Sequence, residues 1–319
     1  MLFTYTNYGS STFNPTKNAI FVTRKKMNSF TISQLEQFSG IKAHTIRIWE
    51  KRYNALQPNR SLGNTRYYDG HQLKRLLNIA SLIEGESQVS KFCLLSDEEL
   101  AIKVIEKFER LHSDETDASN YILQLTAAGI NYDANTFELI YKQAAKRFDF
   151  ITLYKLVILP FLNRVGILWA GERIPPSQEH FMSNLILQKI HAATSALPPQ
   201  KKQEEMWVLC MPEGEFHEIG LLFSHFLLCS AGKNSIYLGS NLPFESLIST
   251  VQEVQATHIL AFFIHYDQPS KAQEYINSLI FKFKSCRILI SGNVRLISKL
   301  HLDEKVEWIK TVDDLILKL

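Results

Sequence analysis

The sequence predicts a multidomain α + α/β protein: a winged helix-turn-helix head, a helical bundle and a doubly wound parallel sheet. Three observations carry this. Between Thr31 and Leu82, two short amphipathic runs are followed by a stretch rich in Pro, Asn and Gly that ends in an aromatic pair. From Ser96 to about Leu197 apolar residues recur at helical spacing. After Glu205 short apolar runs alternate with amphipathic helices, the signature of right-handed βαβ units. A chain of 319 residues has room for two or three such modules. The implied boundaries are a disordered leader at 1–27, the head at 28–95, the bundle at 96–200 and the α/β region at 203–319.

The leader is rich in Thr, Asn, Ser and Gly and has no apolar period, so it has little to bury. Thr31 suits a helix N-cap, and Ile32, Leu35 and Phe38 then mark one helical face until Gly40 ends the run. Ala43 to Lys51 predicts a second helix with Ile46 and Trp49 inward. The segment from Tyr53 to Tyr68, with Pro58, Asn59, Ser61, Gly63 and Asn64, suits a two-stranded wing, and Leu73 to Leu82 returns to helix. Ser96-Asp97-Glu98-Glu99 is a capping-box pattern, and Pro160 and Ile174-Pro175-Pro176 are expected to divide the following region into four or five helices. Pro198 to Glu205 reads as a linker. Strands are expected at Trp207–Met211, Ser235–Leu238, His258–Ile264, Arg287–Ser291 and Val306–Ile309, giving a flavodoxin-like sheet whose ligand crevice lies beyond the strand carboxyl ends.

Charge places the chemistry of the head. The net charge is only +3, but Arg24 to Arg75 holds eleven Lys and Arg against Glu36, Glu50 and Asp69. Such a local excess fits a polyanion. Cys93, Cys210, Cys229 and Cys286 are scattered and form no C-x-x-C pair, which argues against a zinc cluster, a disulfide framework or a mercury- or zinc-type sensor. Apolar stretches such as Leu221–Leu228 are short or interrupted, and the N-terminus lacks a cleavable-signal pattern, so no membrane span and a cytoplasmic location are expected.

The run from Thr31 to Tyr53 resembles the helix-turn-helix of MerR-type regulators. The spacing of Gly40, Thr45, Arg47, Glu50 and Tyr53, then Arg60, Gly63 and Arg66-Tyr67-Tyr68, covers helix, recognition helix and wing. The resemblance implies that His44, Thr45 and Arg47 face the major groove of a double-stranded operator. Arg52, Tyr53, Arg60, Arg66 and Tyr67 would then hold the backbone.

Met211-Pro-Glu-Gly-Glu-Phe-His-Glu-Ile-Gly220 follows the first expected strand of the α/β region, and its Glu215-x-His217-x-x-Gly220 resembles a cobalamin-binding loop. A neutral imidazole suits cobalt, a nearby carboxylate fixes its tautomer, and glycine admits a bulky ligand close to the backbone. Upstream, Trp169-x9-Glu179-His180 resembles the helical cap of the B12-dependent photoreceptor regulators of carotenoid genes. That resemblance implies His217 below cobalt, Trp169, Glu179 and His180 near an adenosyl group above it, and adenosylcobalamin as cofactor. It also implies self-association as a dimer or tetramer, and a non-enzymatic repressor set by cofactor and light.

The sequence departs from that pattern in three places. Phe262 stands where the pattern has the Ser of Ser-x-Leu, Ser291-Gly292 where it has Gly-Gly, and Ala170 where the best-known light sensors have a histidine after the tryptophan. Phe262 and Ser291 fall where small residues would line the slot for the nucleotide tail. These departures favour a second reading, in which the body binds no cofactor and serves as an oligomerisation or interaction module. A corrinoid-dependent methyltransferase or mutase would need a substrate-activating domain for which the chain has no room.

Overall fold

The computed structural model describes residues 30–61, 64–83, 89–110, 114–170, 173–199, 204–264 and 269–319. The leader at 1–27, Gly63, part of the linker and the side chain of Ala170 lie outside the described residues. By spatial contact the chain divides into two compact units, one reaching to Phe161 and including Arg173–Gln178, the other built from Leu162–Glu172 and Glu179–Leu319.

The first unit begins with α1 (Ile32–Ser39) and α2 (Ala43–Tyr53). Thr31 closes a capping box with Gln34, and Gly40 ends α1 in the left-handed region at φ 76°, where a Cβ would be strained. Ile46 and Trp49 are buried as their spacing requires. The wing pairs β1 (Asn59–Arg60) with β2 (Arg66–Tyr67) antiparallel, and α3 (Gly70–Leu82) starts from the Asp69 N-cap. After α4 (Val89–Cys93), the Ser96–Glu99 box forms as the sequence predicts and opens α5 (Asp97–Arg110). Helices α6 (Asp114–Ile130) and α7 (Ala134–Arg147) follow.

Pro160 does not divide the next helix, contrary to expectation. α8 (Phe150–Leu153), a π-helical turn (Tyr154–Ile158) and α9 (Leu159–Ala170) run on without a break. Proline lacks the N–H that closes an α-turn, and its ring collides with the carbonyl four residues back. Here the Leu159 N–H reaches Tyr154 O, five residues back, so the widened turn absorbs the misfit. The resulting stretch, Phe150–Trp169, is by length and composition alone long and apolar enough to cross a membrane, because the π-turn joins two apolar runs that Pro160 was expected to separate. Half of it is buried within the protein, as in the core helix of a bundle. α10 (Pro176–Ser195) completes the helical region.

The α/β region carries β3 (Met206–Pro212), β4 (Asn234–Leu242), β5 (His258–Phe263), β6 (Arg287–Gly292) and β7 (Val306–Trp308), all parallel in the order β4-β3-β5-β6-β7. Helices α11 (Ile219–Ser230), α12 (Phe244–Glu253), α13 (Pro269–Lys282), α14 (Val294–Ile297) and α15 (Val312–Ile316) connect and close it. Every residue of β5 is buried, as a strand covered on both faces must be. One core layer packs Val208, Ile259, Ala261, Phe263, Ile288 and Ile290 of the sheet on Leu247, Ile276 and Leu279 of the helices. The order reverses at β3, so the crevice beside its carboxyl end is the place for a ligand.

Candidate nucleic-acid interface and candidate cofactor cleft

On α2 the exposed residues His44, Arg47, Ile48 and Lys51 recur at i, i+3, i+4 and i+7, one continuous face opposite Ile46 and Trp49. Arg52 and Arg60 are also exposed, while Thr45, Tyr53, Arg66 and Tyr67 are half-buried. Ile48 was not singled out in the sequence, yet the same spacing that buries Ile46 and Trp49 exposes it.

The carboxylate of Glu50 fastens this helix to the wing. It accepts a short hydrogen bond from the buried Tyr68 hydroxyl, and Arg66 Nε stands 3.2 Å from its other oxygen. Burial first, then that hydrogen bond, pushes the Tyr68 phenol far above its ordinary value, so it stays a donor. Tyr68 in turn exchanges both backbone hydrogen bonds with Phe30. Two other cations of the basic stretch also face partners in the protein. Lys74 pairs with Asp133 at 3.2 Å. Arg75 donates to Ala55 O, Cys93 O, Leu95 O and Asp97, tying the chain after α2 to the start of α5.

In the α/β unit, β3 delivers Met211-Pro212 to the crevice, and the loop that follows is fixed by its acidic residues. Glu215 is fully buried. One of its oxygens accepts the Ile264 N–H at 2.8 Å, and the other lies 3.1 Å from His217 Nδ1. With the proton on Nδ1, the lone pair of the imidazole sits on Nε2, the tautomer a metal ligand needs. His217 keeps 36% of its side chain exposed. The loop is pinned to the end of β4 as well: Asn241 N–H donates to Glu215 O, Asn241 Oδ1 accepts from Gly214 N–H, and Tyr237 Oη donates to Glu218 at 2.7 Å. Glu218, Tyr237 and Asn241 escaped sequence reasoning because their roles depend on β4 lying beside β3.

The tail slot tells against a complete cobalamin. A Cβ placed on Gly220 would lie 2.9 Å from Phe262 Cε1, so the phenyl ring already covers the glycine that opens α11. Phe262 is 4% exposed. It pairs in register with Ser291, whose buried hydroxyl donates to Ile309 O at 2.7 Å. Gly292 is extended the other way, at φ 134°, with the Phe263 carbonyl where a Cβ would stand. The donor set of His217 and Glu215 fits a corrinoid's cobalt; the slot beside Gly220 does not fit a nucleotide. Of the cap residues, Trp169 is half-buried at the end of α9. Glu179, at the start of α10, accepts from Ser183 Oγ at 2.6 Å and lies 3.1 Å from the Nδ1 of exposed His180.

Comparison with known families places a MerR-type DNA-binding head and a B12-binding-type domain in this regulator: residues 30–90 match the MerR HTH family regulatory protein model and residues 121–193 match the B12 binding domain model. Among curated proteins it is homologous to two repressors of Myxococcus xanthus. HTH-type transcriptional repressor CarA is 24% identical over 256 residues, 80% of this chain and 82% of the relative. HTH-type transcriptional repressor CarH is 24% identical over 226 residues, 69% of this chain and 73% of the relative. The HTH-type transcriptional regulator MlrA of Escherichia coli (strain K12) is 32% identical over 78 residues, 24% of this chain and 32% of that protein. In fold, the chain is similar to the Methanosarcina barkeri monomethylamine corrinoid protein, with TM-score 0.51 and 14% identity over 61% of this chain and 94% of that one.

Proposed function

We propose that this protein is a cytoplasmic, non-enzymatic transcriptional repressor that binds operator DNA as a dimer or tetramer, its body receiving an adenosylated corrinoid against His217. The observation that carries the ligand reading is the Glu215–His217 pair, a buried carboxylate holding a partly exposed imidazole at the carboxyl end of β3. When bound, such a cofactor supplies a cobalt–carbon bond that light breaks. Trp169, Glu179 and His180 would stand on the adenosyl side. His44, Thr45, Arg47 and Ile48 would meet base edges, with Ile48 suited to a thymine methyl. Arg52, Tyr53, Arg60, Arg66 and Tyr67 would hold phosphates, although Arg66 does so while paired to Glu50. Linking several weak heads through the body raises operator affinity by effective concentration, so whatever breaks the oligomer releases DNA.

The test is a gel shift on a selected operator, with light scattering on the same samples, with and without adenosylated corrinoid, in the dark and after illumination. The expected result is an even-numbered oligomer and a retarded complex in the dark, both lost on illumination. A monomer on DNA throughout would refute control by oligomerisation. Phe262 favours a second reading, a cofactor-free interaction body; on that reading the oligomer and the complex ignore both corrinoid and light.

A further inference from the structure

We propose that the cleft selects a corrinoid without a nucleotide loop, such as adenosylcobinamide, over complete cobalamin. This rests on the corrinoid reading above and deepens it. The crevice of a doubly wound sheet admits the appendage of a ligand between the carboxyl ends of the strands that flank the reversal, here β3 and β5. In this chain the place is filled from within. The Phe262 ring lies against Gly220, and Ser291, its register partner, is buried and bonded to Ile309 O. An appendage entering there would have to displace a buried phenyl ring from a close-packed interior, which has no spare volume to receive it.

The rim is built differently. His217 is partly exposed, its Nδ1 side held by Glu215, and Phe216 beside it is 63% exposed. A flat macrocycle resting on His217 Nε2 needs the rim and not the crevice. Histidine would then supply the lower ligand that a corrinoid without its own base lacks, so ligand and site complete each other. Complete cobalamin brings both a tail with no slot and a base that competes with His217.

The experiment uses the full chain, purified in the dark and titrated separately with adenosylcobinamide and adenosylcobalamin. Retention on ultrafiltration and visible absorption are read together. Adenosylcobinamide is yellow in water and reddens when a nitrogen ligates its lower face. The wild type is expected to bind it at least about ten-fold more tightly than adenosylcobalamin, and to redden it. His217→Ala should lose the reddening, while Phe262→Ser should shift the ratio about ten-fold or more toward adenosylcobalamin. Phe262→Leu, a smaller change in the same core, serves if the serine variant does not fold. Equal binding of the two corrinoids, or tighter binding of adenosylcobalamin, overturns the selection and leaves the corrinoid body standing. Binding of neither overturns both, and an intact gel shift in that case shows that the DNA-binding head survives them.

Discussion

Replacing Glu50 tests whether α2 and the wing act as one piece. In Glu50→Ala the buried Tyr68 hydroxyl loses a charged acceptor and Arg66 loses its anion. A hydrogen bond to a charged group contributes roughly 1.5 to 3 kcal/mol. The ion pair adds only about 0 to 1 kcal/mol, because Arg66 is 37% exposed and solvent screens it. The wing should therefore loosen by about 1.5 to 4 kcal/mol. Hydrogen–deuterium exchange of the peptide covering β1 and β2 reads this directly, and about 2 kcal/mol corresponds to about 30-fold faster exchange through local opening. Tyr68→Phe should give a smaller increase, and the double variant less than the sum of the two, since both remove one shared bond. Wing exchange unchanged in Glu50→Ala, or effects that add fully, would show that the carboxylate does not couple helix to wing.

Three further outcomes follow from the same geometry. Arg47→Ala should cost roughly 1 to 3 kcal/mol on operator DNA and little on random duplex; equal losses measured by fluorescence anisotropy would make Arg47 a backbone contact. Arg75→Ala removes donors to three carbonyls and Asp97. It should lower the stability of the first unit by roughly 2 to 3 kcal/mol in urea unfolding, and an unchanged midpoint would contradict that. Burial, and then nearby His191, holds His225 below its ordinary value of 6.5, and burial does the same to His258. In each case the unfolded chain takes its proton first, so stability present above about pH 6.5 is lost as pH falls through and below it. Replacing both by Gln should flatten the slope of Tm between about pH 7.5 and about pH 5.5; a slope kept intact would assign it elsewhere.

What could be read in the sequence is what local rules determine. Thr31 and Gly40 bracket α1 because a capping hydroxyl and a left-handed residue are needed at its two ends. The five strands appear where short apolar runs stand between helices, with β4 extending to Leu242, well past the expected Leu238. Its polar end, Gly239-Ser240-Asn241, carries no apolar signal and pairs only because the end of β3 lies alongside. Pro160 misled for a related reason, since a π-turn is invisible to periodicity and to composition alike. At the site, Glu215 and His217 could be read as a pair because their loop resembles a cobalamin-binding one. The commitment of Lys74, Arg75 and Arg66 to acids far along the chain could not, because charge counts do not say which cations are already satisfied.

The turn between α1 and α2 has a consequence for how the head can vary. The start of α2 has no cap of its own, because Lys42 makes no side-chain hydrogen bond to the helix. Glu36, on the preceding helix, accepts the Ala43 N–H at 3.2 Å and stands 3.5 Å from the Lys42 ammonium. The neighbour thus supplies the anion that a helix start requires. Position 42, where a lone helix would favour Ser, Thr, Asp or Asn, is released from that duty and carries an exposed cation at the start of α2. Substitutions at Lys42 can therefore retune the affinity of the head without unravelling it, whereas a change at Glu36 would disturb the shape of the turn and the charge at its tip together.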